Sequence, residues 1–137
     1  MKISNFLLFF AIYGFLAGGM MLFNANGSLV NYGIQPIDQY HIVILQYLGL
    51  VNITLGLLVF LLRNEQSEKV INAILLYGLI TCVGSFLKAC YDIFLLQVPS
   101  NTFFWVDMSF RLLVGIVCAF LLLGISKKSS LSFNIPS

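Results

Sequence analysis

Four charged residues, Lys88, Asp92, Asp107 and Arg111, stand inside otherwise apolar sequence toward the C-terminal end of the chain. Acids and bases in such surroundings can move protons, fasten one helix to another, or grip the polar head of a ligand. Their spacing narrows the choice. Lys88 and Asp92 are four positions apart, as are Asp107 and Arg111, so on helices each pair of opposite charges shares a face. A charge at the centre of a bilayer costs at least about 2.5 kcal/mol even on a lenient insertion scale, so these groups must compensate one another.

An antiparallel hairpin centred between Pro99 and Ser100 sets Lys88 level with Arg111 and Asp92 level with Asp107. Favourable contacts across it then run diagonally, from Lys88 to Asp107 and from Asp92 to Arg111, in a buried square. At ~1.5 Å rise per residue the aspartates lie about 11 Å of helix from the midpoint and the bases about 17 Å. Two readings follow. In one the square is a self-neutralising clamp between two helices. In the other it lines a water-accessible pocket, where Arg111 or Lys88 holds a head group and an Asp takes part in proton movement.

Other polar side chains join this candidate set. Ser85 lies within a turn of the charges, and His41, an imidazole able to take up or give a proton, stands at the entrance of an earlier apolar segment. Gln46, Gly49, Asn52 and Gly56 recur at helical spacing and form a small, polar stripe, suited to interhelical hydrogen bonds or to lining a pocket. Gly14 and Gly18 make a GxxxG pattern that lets a second helix backbone come close, either within the chain or in a homo-oligomer.

These groups must be positioned by long apolar elements. Of 137 residues, 60% are hydrophobic and 9% charged, against about 25% charged in an ordinary soluble domain. Four segments, about 6–23, 42–62, 70–96 and 103–125, have the ~20 residues needed to cross a ~30 Å hydrocarbon layer. The expected fold is all-α: an integral membrane four-helix bundle forming one domain over 1–128, with a short tail at 129–137. Phe23-Asn24-Ala25 lacks the small residue of a signal-peptidase site, so the first segment reads as a span. A short interfacial helix is expected near Ser28 to Tyr32.

Charge orients the spans. Lys2, Arg63, Lys69, Lys127 and Lys128 fall on one side, while the connections 24–41 and 97–102 contain no Lys or Arg. By the positive-inside rule both termini are cytoplasmic and the charge cluster belongs to the outer half.

A net charge of +2 gives no basic footprint for nucleic acid. Cys82, Cys90 and Cys118 lie in apolar runs, with no CxxC pair and no His at ligand spacing, which points to buried thiols and to no metal site. No P-loop, HExxH or nucleophile elbow is present, so no catalytic residue is assigned.

The order Leu22-Phe23-Asn24, Gly27, Gly33-Ile34-Gln35-Pro36 and then a Gly-containing second span resembles the small four-helix DoxX-like membrane proteins. That resemblance covers about the first sixty residues. It implies a compact bundle, in some members associated with quinone-linked redox partners, and transfers no functional residue. With no His pair inside the spans to hold haem, no cofactor is expected.

The expected function is non-enzymatic: binding of a small amphipathic ligand or lipid head group by Lys88, Asp92, Asp107 and Arg111, with His41, Gln46, Asn52 and Ser85, as an accessory subunit in the bilayer. The alternatives are a small oligomeric transporter or channel with a proton-coupled Asp, and a lipid-modifying enzyme using His41 or an Asp as base.

Overall fold

The computed structural model describes residues 3–132, with side chains over 3–125. Lys2 and residues 133–137 lie outside the described residues, and Lys127 and Lys128 are described as backbone alone. The chain is all-helical: α1 (Ile3–Phe23), α2 (Ala25–Asn31), α3 (Gln39–Leu62), α4 (Glu68–Phe94) and α5 (Thr102–Ser132). Four of these, α1, α3, α4 and the 102–125 part of α5, are long and apolar enough to cross a membrane. They coincide with the expected segments to within a turn at most ends. The helix continues through 129–132, where a tail was expected. The short helix expected near Ser28 to Tyr32 is present as α2.

Two compact units divide the chain: Met1–Asn64 with Pro99–Phe104, and Glu65–Val98 with Trp105–Ser137. In the first, α1 and α3 run antiparallel at very short range. A Cβ added at Gly18 would meet the Gly49 carbonyl oxygen at 2.6 Å and the Ile53 nitrogen at 2.9 Å, and one at Gly14 would meet Gly56 Cα at 3.2 Å. Two backbones can come this close only where both lack side chains. Of the two uses open to the Gly14/Gly18 face, the one within the chain is seen: it packs on α3. Ser4 Oγ donates to Asn64 Oδ1 at 2.9 Å where the start of α1 passes the end of α3.

The rest of the first unit is a rim built on α2. Ser28 is buried and donates to the Met20 carbonyl at 3.2 Å. Gly33, at φ +79°, takes the left-handed turn that ends α2, with its N–H on the Val30 carbonyl. Asn101 caps α5, its Oδ1 accepting from Phe104 N at 2.9 Å, while its Nδ2 donates to the Asn31 carbonyl at 2.7 Å. The Tyr32 ring meets Phe103 edge-on at 5.2 Å between centroids.

In the second unit α4 and α5 pack against each other. A Cβ on Gly115 would stand 2.8 Å from Val83 Cγ2 and 3.4 Å from Cys82 Cβ, and the Phe94 and Trp105 rings lie 6.2 Å apart. The ring pair is centred between Pro99 and Ser100 and the Gly115 contacts within a residue of it, so the expected antiparallel register holds. Helix α4 ends at Phe94 with Leu95 as its C-cap, and beyond it Gln97, at φ 56°, turns the chain so that Val98 N–H comes back onto the Asp92 carbonyl.

Candidate functional site

The charge cluster lies wholly in the second unit. Asp107 and Arg111, one turn apart on α5, form an ion pair, Arg111 Nε to Asp107 Oδ2 at 3.0 Å, with 15% and 18% of their side chains exposed. Lys88 pairs with Asp92 along α4 in the same way and sits 5.8 Å from the centre of the Tyr91 ring. Its environment differs: the Lys88 side chain is 67% exposed and that of Asp92 28%. The square expected to be buried is thus open on its Lys88 corner. Among the described residues the Lys88 ammonium reaches Asp92 and Tyr91, not Asp107. A partner one helical turn away on the same face is met without bending the long side chain across the helix contact.

What the arrangement can do chemically follows from this asymmetry. The Asp107–Arg111 pair keeps two opposite charges together in partial burial, where removing one partner leaves the other poorly solvated. The exposed Lys88 ammonium keeps donor capacity toward whatever lies at the helix surface, since an ammonium has three N–H donors and one Asp92 oxygen occupies one. Ser85 turns its hydroxyl to its own helix, donating to the Thr81 carbonyl at 2.6 Å.

The remaining candidates belong to the first unit. Gln46 Nε2 donates to the Leu22 carbonyl at 3.4 Å, and Asn52 Nδ2 to the Leu48 carbonyl at 2.9 Å, with Met21 Sδ at 3.7 Å. Both amides therefore serve the α1–α3 contact, although Gln46 also lines a small cleft of about 210 Å³ with Leu22, Val43, Tyr47 and Leu50. His41 pairs with Asp38: Nδ1 lies 2.9 Å from Asp38 Oδ1, the same oxygen that accepts the His41 backbone N–H at 2.9 Å. That backbone hydrogen bond, helped by the nearby imidazole, holds the Asp38 carboxyl below its usual value. Among the described residues His41 bonds Asp38 alone, so no hydroxyl or thiol stands ready for it to activate.

Two features escaped sequence reasoning. The Asp38 cap was legible as an Asp three residues before His41, a spacing suited to an N-cap. The second is a cleft of about 610 Å³ between the first turns of α4 and the later part of α5, lined by Lys69, Asn72, Ala73, Leu76, Leu122 and Leu123. Asn72 Oδ1 is buried there without a hydrogen-bond partner, at a cost of about 1–3 kcal/mol. Nothing in the sequence marks Asn72 apart from its place one turn beyond Lys69. Among the described residues no three His, Cys, Asp or Glu side chains come together to hold a metal ion.

No protein-family model matches the chain, and no curated protein or solved structure matches it.

Proposed function

We propose that this chain is a multi-pass membrane protein with both termini on the cytoplasmic side. In this reading it binds the polar head of a small amphipathic ligand at the Lys88, Asp92, Asp107 and Arg111 cluster, as a non-enzymatic, accessory component. Four helices of membrane-spanning length support the setting. Arg63 and Lys69 flank the α3–α4 connection, and the other two connections lack basic residues, which supports the orientation.

One observation carries the ligand reading: on the same apolar helix pair, Asp107 and Arg111 neutralise each other in partial burial while the Lys88 ammonium stands 67% exposed. A clamp would enclose every charge. An ammonium left open on a lipid-length helix is suited to an anionic head group whose chain lies along α4.

Trp105, the single tryptophan, lies with its ring tilted against Phe94, two residues before Asp107, and so reports on this end of the pair. Titration of the reconstituted protein with brominated dodecyl phosphate is expected to quench Trp105 saturably, and Lys88→Ala to abolish the saturable part while the helical content stays the same. Quenching that rises linearly with probe in both proteins would leave the cluster as a clamp alone. Reporter-enzyme fusions at the α3–α4 connection test the orientation independently.

A further inference from the structure

The cleft of the second unit sits at the other end of the helices from the charge cluster. It is apolar along most of its length, walled by Ala73, Leu76, Leu122 and Leu123, with Lys69 at one end. Seven residues separate Lys69 from Leu76, about 10 Å along α4. That depth carries a groove from a charged boundary into the hydrocarbon layer. Its volume, about 610 Å³, falls within the ~300–1,000 Å³ of ordinary small-molecule sites.

We infer that this cleft holds one chain of an anionic lipid of the cytoplasmic leaflet whose head group carries a hydroxyl donor. Two independent features choose the occupant. The first is charge. Among the described residues the Lys69 ammonium has no carboxylate partner. A phosphate diester complements such a group, whereas a zwitterionic head offers less. The second is the Asn72 carbonyl, turned inward with no donor. The terminal torsion of an Asn side chain is soft, so the amide can swing its oxygen into the cleft and accept from a head-group hydroxyl. A head-group hydroxyl would give that acceptor its donor.

The inference rests on the proposed insertion and orientation of the helices and not on the outer cluster. Flotation of the reconstituted protein with its vesicles tests insertion separately, and failure there would sink both readings. Given flotation, native mass spectrometry of the full chain compares three added lipids: phosphatidylglycerol, phosphatidylmethanol, which is anionic but lacks the hydroxyls, and phosphatidylcholine. Retention is expected in that order. Lys69→Gln should reduce the preference for the anionic lipids over phosphatidylcholine about fivefold, the effect of one lysine near a membrane surface. Asn72→Leu should erase the difference between phosphatidylglycerol and phosphatidylmethanol, and Leu76→Trp should displace all three while Lys88→Ala displaces none. Excess glycerol phosphate should not compete. Equal retention of the three lipids by the native chain, displacement by glycerol phosphate, or indifference to Leu76→Trp in a normally helical protein would each overturn the inference.

Discussion

The two helix pairs are held together by opposite means. Between α1 and α3 glycine sets the approach: Gly14 and Gly18 face Gly49 and Gly56, backbone meets backbone, and the amides of Gln46 and Asn52 stand among the polar groups in the contact. Between α4 and α5 glycine meets side chains, Gly115 facing Val83 and Cys82, and the helix surfaces carry four charges. Close approach and charge exclude each other for a steric reason. A long side chain ending in an ion needs room to turn toward its partner, and a contact built on glycine leaves none. The first pair gains van der Waals contact over its length; the second gives up some of that contact and can carry reactive groups.

The comparison breaks most sharply at Gly18. A Cβ there meets the backbone of Gly49 and Ile53, neither of which can move aside, so Gly18→Leu is expected to destabilise the fold by about 3 kcal/mol. Gly19→Leu and Gly84→Leu, where nothing lies within 4 Å, should stay within about 0.5 kcal/mol. Thermal unfolding in a single detergent measures all three.

In the second pair Asp107→Ala should rank next, at about 2 kcal/mol, because it removes the carboxylate bonded to Arg111 Nε in partial burial. The exchanged double variant Asp107→Arg with Arg111→Asp should recover part of the loss. Should Lys88→Ala cost as much as Asp107→Ala, the contrast drawn between the open and the sheltered pair would be wrong; its expected cost is under ~0.5 kcal/mol.

Asn101→Ala is expected to cost about 1 kcal/mol through the lost cap. Asn101→Asp separates its two roles, since a carboxylate still caps Phe104 N–H but cannot donate to the Asn31 carbonyl. Unfolding curves close to those of the native chain for Asn101→Asp would assign the whole effect to the cap.

The smallest effect is electrostatic. Because the Asp38 carboxyl is held below its usual 3.8 in the folded chain, its ionised form is the one that folding favours. Its contribution is present above that value and is lost as pH falls through the depressed one. Asp38→Asn should lower the melting temperature slightly at neutral pH and converge on the native value as pH falls through the depressed one, which flattens the acid limb of melting temperature against pH.

Much of this was legible in the residues, for reasons that differ from element to element. The long helices follow from uninterrupted apolar length. The α4–α5 register follows from the positions of Lys88, Asp92, Asp107 and Arg111 about the Pro99 turn, and it is met by the Phe94–Trp105 ring pair. What was not legible is which surfaces meet. A GxxxG pattern states that some backbone comes close without naming it, although Gly49 and Gly56, seven residues apart, are the complementary mark on α3. The opening of the Lys88 corner was hidden because helical spacing fixes an angle about the axis and not how far a flexible side chain extends. The Lys69 and Asn72 cleft went unseen because its walls are ordinary alanine and leucine.

The Asn101 amide has a consequence for how the chain is made. Its donor group holds the Asn31 carbonyl across a separation of 70 positions, so the segment after α1 is synthesised long before the residue that secures its end. The rim of the first unit is consequently finished last, when position 101 has left the ribosome, and any truncation upstream of that point yields a short helix at 25–31 lacking its tether.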